Sequence, residues 1–271
     1  VIEHNSAHQL IEEFMLVANQ AVALTLHEKG IPCINRVHEA PDPIKLCEFK
    51  EFISSFGLRF SSQEKVHSKD LNKLLKKIQD SPKERGVNTL LRRTMKKARY
   101  SPSDPGHYCR GFPHYVHFTS PIRRYPDLIT HRIVKKYLKH KCTRKEKKIL
   151  LSSLHDISEQ STQMEIQAMS IERDIISLRQ AQFMVDKIGK TFYGTITGVT
   201  GFGFFVELEN IFAEGLVKIS SIMDDYYLFI ETEHKLIGQK RHRVFQIGNR
   251  VKVRVISVDL SKRQINLQVL G

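Results

Sequence analysis

Two adjacent arginines, Arg123 and Arg124, stand just before a segment with the apolar spacing of a helix. Pro126 fits the first helical position, because its missing N–H costs nothing there. A helix N-terminus presents unpaired N–H groups and the positive end of the helix dipole, and a guanidinium can bind two phosphate oxygens side by side. The pattern predicts a site for a phosphate-bearing ligand. On charge alone, a basic helix start with solvated arginines is an equal alternative.

The overall charge points to the same class of ligand. The net charge is +14, with twelve Lys/Arg against three acidic residues in 65–99 and nine against one in 132–148. Apolar residues keep a helical rhythm inside the first stretch, which indicates folded basic surfaces and favours a nucleic acid as partner. The sequence contains neither an apolar run long enough to cross a bilayer nor a strongly amphipathic helix with exposed aromatic residues, so no membrane partner is expected.

The four cysteines predict neither a structural zinc site nor a disulfide framework. Cys33, Cys47, Cys109 and Cys142 are widely separated and form no C-x-x-C pair. Four reduced thiols fit a cytoplasmic protein. The sequence pattern assigns no metal ligand in this chain.

Helices are predicted along the first two thirds of the chain. The first begins at Ser6, with Gln9 as its capping-box partner, and ends at Gly30. Shorter helices are expected at about 44–56, 65–80 and 82–99, followed by the helix after the arginine pair and by one or two long helices over about 145–188. Apolar spacing predicts the buried stripe of the first helix: Leu10, Phe14, Val17, Ala21 and Leu24. It also predicts a buried face on the long helix: Ile157, Met164, Ala168, Ile171, Ile175 and Leu178.

After Gly189 the pattern changes to strands and predicts a small five-stranded barrel. The strands are expected at 191–199, 203–208, 215–219, 251–258 and 264–269. Phe202 and Phe205 lie three apart at a strand entry, where exposed rings could stack on bases. Lys218 and Arg263 could contact phosphates. Alternation places Phe204 in the barrel core instead, and a core role for further Phe rings is the alternative.

Residues 117–128, the signature segment, read HFTSPIRRYPDL and resemble the signature of the ribonuclease II / ribonuclease R family of hydrolytic 3′→5′ exoribonucleases. Further segments resemble the catalytic domain of that family: residues 11–19, 92–96, 106–108 and 169–174. The β-rich region resembles an S1 RNA-binding domain, an OB-fold, through 200–206, 215–220, Asp259 and Arg263. The resemblance implies an α+β protein of two domains. Residues 1–188 are the mainly helical C-terminal part of an RNB catalytic domain, and 189–271 are the S1 barrel.

The resemblance also implies roles for particular side chains. Arg123 and Glu172 are the residues assigned to catalysis: Arg123 engages the scissile phosphate, and Glu172 lies near the 3′ end of the RNA. Glu13 resembles a carboxylate that contacts RNA sugars, since it borders the apolar stripe of its helix, whereas Glu12 points away and fits a surface charge. The remaining residues assigned to RNA binding are Arg124, Tyr125, Phe202, Phe205, Lys218, Asp259 and Arg263.

The family hydrolyses RNA with Mg²⁺ held by a closely spaced aspartate cluster, and this sequence contains no such cluster. The chain therefore resembles the C-terminal part of the enzyme, and we expect it to be inactive by itself. The resemblance implies a processive exoribonuclease of the ribonuclease R type. It would act as a monomer on single-stranded or structured RNA and release nucleoside 5′-monophosphates. The alternative is a non-catalytic RNA-binding protein with an S1 module.

Overall fold

A computed structural model describes residues 5–55, 57–58, 66–79, 81, 84–137 and 142–270. These residues cluster into two compact units, which we describe separately. The first unit draws on 1–40 and 96–168, and the second on 41–95 and 169–271. The predicted domain boundary between residues 188 and 189 stays a prediction. Among the described helices, none is long and apolar enough to cross a membrane.

The elements are numbered in chain order. The α-helices are α1 (Ser6–Glu28), α2 (Pro43–Ser55), α3 (Ser68–Ile78), α4 (Glu84–Thr94), α5 (Tyr125–Tyr137) and α6 (Arg144–Val185). The strands are β1 (Asn35–Val37), β2 (Arg99–Ser101), β3 (Thr191–Thr200), β4 (Gly203–Leu208), β5 (Glu214–Lys218), β6 (Tyr227–Ile230), β7 (Lys235–Gly238), β8 (Val244–Gln246), β9 (Arg250–Asp259) and β10 (Gln264–Val269). Short 3-10 helices lie at Tyr108–Arg110, Ile219–Ser221 and Glu231–Glu233.

The first unit packs α1, α5 and the start of α6 around one apolar core, beside the antiparallel pair β1 and β2. Helix α5 contributes Ile129, Ile133 and Tyr137, as its spacing predicts. Pro126 lies in the first turn of that helix, so the arginine pair directly precedes a helix N-terminus. The core is completed by residues from α1, β2, α6 and the loops: Ala23, Leu26, Ile31, Cys33, Ile34, Tyr100, Val116 and Leu154.

The predicted burial of the α1 stripe is wrong for the described structure. Leu10, Phe14, Val17 and Leu24 stay between 48% and 61% exposed, while the neighbouring face buries Asn19, Ala23 and Leu26. Similarly, α6 leaves Met164, Ile171 and Ile175 about half exposed. The helical cap also differs, because Asn5 rather than Ser6 accepts the capping hydrogen bond, from the backbone N of His8 at 3.1 Å. Apolar spacing identifies the apolar face of a helix but does not show whether another element covers that face.

The second unit contains the predicted closed barrel, with strand order β10-β5-β4-β3-β9. The bounds of each predicted strand lie within one residue of the observed bounds. Strand β10 pairs with β5 in parallel. A three-stranded antiparallel sheet, β6-β7-β8, was not predicted. Helix α4 packs closely on the segment after β8, since a Cβ added to Gly86 would lie 2.3 Å from Cγ2 of Ile247. The predicted helix at 82–99 is α4, although residues 82 and 83 lie outside the described residues and 99–101 form β2.

Candidate functional site

A cleft of about 670 Å³ in the first unit contains the arginine pair. Four residues of the signature segment line it: Arg123, Arg124, Tyr125 and Pro126. The opposite wall comes from β2 and α6, which contribute Tyr100 and Glu165. The structure therefore brings together three of the predicted site residues at the start of α5, where the helix dipole favours an anion.

Arg124 is fixed by a buried carboxylate. Its Nη2 donates to Oδ1 of Asp127 at 2.8 Å, and the same oxygen accepts from the backbone N of Ser120 at 2.8 Å. Asp127 is fully buried in the first turn of α5, and the Arg124 side chain is 21% exposed. Because this pair joins the signature segment to the helix that follows it, Arg124 helps to hold the loop in shape.

Arg123 is in a different situation. Its side chain is exposed, and it makes no hydrogen bond or ion pair with any residue that the structure describes. Its backbone N donates to the carbonyl of Ser120 at 3.3 Å, in the turn that leads into α5. The main chain is thus held while the guanidinium stays available to a ligand in the cleft. Tyr125 beside it is 51% exposed.

The far wall of the cleft is a network that the sequence patterns did not reveal. Arg36 makes a bidentate pair with Glu165, with Nη1 at 2.6 Å from Oε2 and Nη2 at 3.1 Å from Oε1. The Arg36 guanidinium also lies 4.7 Å from the centroid of the Tyr100 ring. The Arg36 guanidinium therefore neutralises the charge of Glu165, the carboxylate that lines this wall of the cleft.

Tyr100 and His117 form the floor of this network through a hydrogen bond of 2.9 Å between the hydroxyl and Nδ1. Burial raises the pKa of Tyr100 to about 12. Burial, reinforced by Arg124 and Arg36, lowers the pKa of His117 to about 2. Both groups are therefore neutral near neutral pH, and the imidazole tautomer decides which of the two donates the hydrogen bond.

The buried amide of Asn19 positions the signature segment from α1. Its Oδ1 accepts from the backbone N of Phe118 at 2.9 Å, and its Nδ2 donates to the hydroxyl of Tyr115 at 3.1 Å. Phe118 is fixed further by His131, whose ring stacks on it at 3.8 Å. An Asn on an otherwise apolar helix face was the available sequence signal for this role.

The two predicted glutamates lie elsewhere. Glu13 is exposed on α1 and does not line the cleft. Glu172 is exposed on α6, in the part of that helix that belongs to the second unit. Their assignment to RNA contacts stays a prediction, and Glu165 is the carboxylate of α6 that lines the cleft.

The second unit presents an aromatic face, which we define by Phe202, Phe205 and Lys218. Phe202 is 57% exposed and meets the half-buried Phe205 edge to face, with ring centroids 6.2 Å apart. Lys218 is exposed and pairs in register with Gly203. Phe204 is fully buried against Phe245. The predicted burial of Phe204 in the barrel core is confirmed, and Phe202, in the turn before β4, is exposed.

Close backbone packing shapes this face. At Gly203, φ is +151° and an added Cβ would lie 2.1 Å from the carbonyl oxygen of Val217, so only glycine fits beside Lys218. A Cβ on Gly198 would lie 3.6 Å from Cδ2 of Phe205 and 3.8 Å from Nη2 of Arg93. Arg93 of α4 and the Phe205 ring therefore both border the space beside Gly198, which the sequence patterns did not indicate.

Asp259 and Arg263 lie in the turn between β9 and β10 and both have partners within the protein. Oδ1 of Asp259 accepts from Oγ of Ser261 at 2.6 Å and from the backbone N of Lys262 at 3.0 Å, and the Ser261 bond lowers the pKa of Asp259. Arg263 lies 3.3 Å from Asp174 of α6. Asp259 thus stabilises the turn, and RNA contacts by either residue stay predictions.

The side chains present do not fit the Mg²⁺ that the resemblance implies. Mg²⁺ is bound by oxygen ligands, mainly carboxylates. Within the described ranges, one group of three potential metal ligands comes together, and it contains two histidines and one aspartate. We therefore derive no catalytic step through Mg²⁺ from this chain.

Comparison with known proteins gives two family matches. The model of the RNB domain matches residues 1–140, and that of the S1 RNA binding domain matches residues 185–270. Ribonuclease R of Aquifex aeolicus is 40% identical over 268 residues, which cover 99% of this chain and 38% of that protein. The chain therefore spans about two fifths of the length of this relative.

Solved structures agree with these matches. Mycoplasma genitalium RNase R in complex with ribose methylated single-stranded RNA superposes with a TM-score of 0.92 at 32% identity, covering 99% of this chain and 42% of that one. Yeast Ssd1, described as a pseudonuclease, has a TM-score of 0.70 at 25% identity, covering 88% of this chain and 30% of that one. The similarity therefore extends over nearly the whole chain and well beyond an isolated S1 module.

Proposed function

Because this chain belongs to the RNB family, we propose that it is the RNA-holding part of a hydrolytic 3′→5′ exoribonuclease of the ribonuclease R type. In this proposal the whole enzyme works in the cytoplasm as a monomer and shortens single-stranded or structured RNA processively. It releases nucleoside 5′-monophosphates with the help of Mg²⁺, whose ligands lie outside the residues described.

The contrast between the two adjacent arginines carries the proposal. Arg124 forms an ion pair with the buried Asp127, whereas Arg123 is exposed at the same helix start with no partner among the described side chains. An unpaired guanidinium over a helix N-terminus suits a phosphate that must be held during reaction. If both arginines served only to stabilise the fold, both side chains would be expected to have partners within the protein.

The geometry suggests how Arg123 contributes. When a water or hydroxide attacks the scissile phosphate, negative charge grows on the phosphoryl oxygens. A guanidinium at this position would bind that charge more strongly in the transition state than in the ground state, which accelerates the reaction. Asp127, Ser120 and Arg124 hold the turn that carries Arg123, so its backbone needs little reorganisation.

The aromatic face supplies affinity without sequence preference. The exposed Phe202 ring and the half-buried Phe205 ring can stack on any base, at about 1–3 kcal/mol per base. Lys218 and Arg93 add phosphate attraction that weakens with salt. Such a surface suits an enzyme that degrades RNA of any sequence. The residues that act in the reaction lie in the arginine cleft instead.

A chimera tests the proposal in a complete enzyme. This chain replaces the matched 38% of Aquifex aeolicus Ribonuclease R, and single-turnover cleavage is measured beside equilibrium RNA binding. We expect the chimera to release mononucleotides stepwise from a 3′ end. Arg123→Lys keeps the charge but loses the planar fork, so it should slow cleavage far more than it weakens binding.

Arg124→Lys is the matched control on the neighbouring residue. It should impair stability as well as cleavage, because it disturbs the Asp127 pair. A chimera that binds RNA with the parent affinity but releases no nucleotide would contradict the proposed activity. Equal losses of binding and cleavage in Arg123→Lys would reduce that residue to one of many docking cations.

A further inference from the structure

Three side chains that commonly bind transition metals meet in the first unit, away from the residues that line the arginine cleft. His27 lies in the last turn of α1, Asp104 in the loop after β2, and His114 in the loop after the short helix at Tyr108–Arg110. One potential ligand atom from each lies within 4.8 Å of the other two. The His27 and His114 rings stack with centroids 3.7 Å apart, and Nδ1 of His114 lies 2.6 Å from Oδ2 of Asp104.

The carboxylate of Asp104 has an unused oxygen. Its Oδ1 is buried and has no hydrogen-bond partner among the described residues. Buried carboxylate oxygens are normally satisfied by a donor or a cation. The nearby thiol of Cys33 does not supply one, because its Sγ donates to Oδ1 of Asn35 at 3.4 Å.

We propose that His27, Asp104 and His114 bind one divalent transition-metal ion, and that Zn²⁺ fits this set best. Two imidazole nitrogens and one carboxylate oxygen are ligands that Zn²⁺ accepts readily, whereas Mg²⁺ and Ca²⁺ prefer oxygen alone. Tetrahedral Zn²⁺ requires its ligand atoms about 3.3 Å apart. To reach this geometry, the exposed His27 side chain would rotate towards the other two ligands, and the 2.6 Å hydrogen bond between His114 and Asp104 would give way to bonds to the ion. A water molecule would complete the coordination.

The ion would connect parts of the first unit that are distant in sequence. It would fasten the C-terminal end of α1 to the two loops between β2 and the signature segment, which carries Arg123. Binding at neutral imidazoles stabilises the folded form, because the three ligands are brought together only by folding. This role is one of bracing the scaffold, so it does not depend on the proposed nuclease activity.

Zinc binding by the full 271-residue chain tests the site. Equilibrium dialysis against Zn²⁺ compares the wild type with His27→Ala, Asp104→Asn and the control His155→Ala. His27 and His155 are both exposed helical histidines, and only His27 belongs to the cluster. We expect one Zn²⁺ per chain in the wild type and in the control, and at least tenfold weaker binding in the two cluster variants.

Two further measurements make the result specific. Zn²⁺ should raise the thermal unfolding midpoint of the wild type and of His155→Ala but not of His27→Ala. Since Cys47 and Cys109 are exposed thiols that could also bind the ion, Co²⁺ absorption identifies the ligands, and a site without sulfur shows no intense thiolate charge-transfer band. Equal Zn²⁺ affinity in wild type and His27→Ala, or a thiolate band that His27→Ala leaves unchanged, would overturn the proposal. His27→Ala carries the test if Asp104→Asn fails to fold.

Discussion

The arginine cleft of the first unit and the aromatic face of the second unit hold their functional groups in opposite ways. The cleft is built on buried polar groups, chiefly Asp127 beneath Arg124 and the Arg36–Glu165 pair. The aromatic face projects outward from strands whose inward side chains, such as Phe204, are apolar. One site therefore depends on a charge network and the other on a hydrophobic support.

This difference determines how each site tolerates change. A buried charge whose partner is removed has no water to replace it, so one substitution in the cleft should disturb fold and chemistry together. Outward side chains on a barrel act almost independently, so their loss should lower RNA affinity and leave the fold intact. Four changes probe the contrast, beginning with the largest expected effect.

Asp127→Ala should be the most damaging change. It leaves the Arg124 guanidinium and the backbone N–H of Ser120 without their acceptor. Breaking a buried ion pair in this way costs about 3–5 kcal/mol of unfolding free energy. Urea denaturation followed by far-UV circular dichroism measures it, and a loss below about 1 kcal/mol would show that the network is not the support of the cleft.

The double substitution Phe202→Ala/Phe205→Ala should weaken binding of single-stranded RNA tenfold or more, because each stacked base contributes about 1–3 kcal/mol. Fluorescence anisotropy with a labelled oligonucleotide measures the affinity. Phe212→Ala is the matched control, since this ring is 85% exposed in the loop at the other end of β4. Unchanged affinity in the double variant would remove the stacking role.

Acidification should destabilise the fold through buried histidines. Burial lowers the pKa of His117 to about 2 and that of His107 to about 4. As the pH falls from about 6.5 to about 4, histidines of the unfolded chain become protonated while these two imidazoles of the folded protein stay neutral. The free energy of unfolding therefore falls, by up to about 1.4 kcal/mol per pH unit for one such group. Denaturation at several pH values should give a shallower slope for His117→Gln, and an identical slope would exclude His117 as a source.

Glu209→Gln should have the smallest effect. Glu209 forms a bidentate pair with Arg250 on the barrel, with contacts of 2.7 and 2.8 Å, but both side chains are well exposed. Exposed ion pairs contribute little because water and salt screen them. The denaturation midpoint should stay within experimental error of the wild type. A loss comparable to that of Asp127→Ala would erase the distinction between the two sites.

Local features of the fold could be predicted from the sequence. The barrel strands follow from β-branched and aromatic runs between turns, and α5 follows from Pro126 and the apolar spacing after it. The burial of Phe204 and the outward orientation of its neighbour Phe205 follow from alternation along β4. Each of these signals lies within about ten residues, and a neighbouring segment is enough to determine it.

Features that depend on distant partners could not be predicted. Arg36 and Glu165 are 129 residues apart, and Asn19 and Phe118 are 99 apart. No spacing rule joins His27 to Asp104 and His114 either. The strands β6, β7 and β8 contain only three or four residues each, which is too short for alternation to be recognised. The burial of the apolar stripe of α1 also depends on distant segments, so the apolar spacing within that helix could not show that the stripe is exposed.

The closing strand of the barrel has a consequence for biosynthesis. Strand β10 is held by β9 on one side and by β5, in parallel, on the other. A nascent chain that has not yet released residues 264–269 from the ribosome leaves β5 and β9 with open edges. The hairpin with β9 can form at once, but pairing with β5 must close a loop of some fifty residues, a slower step. The barrel thus passes through a period of exposed hydrogen-bonding edges, which ends only when the translated final strand has also paired with β5.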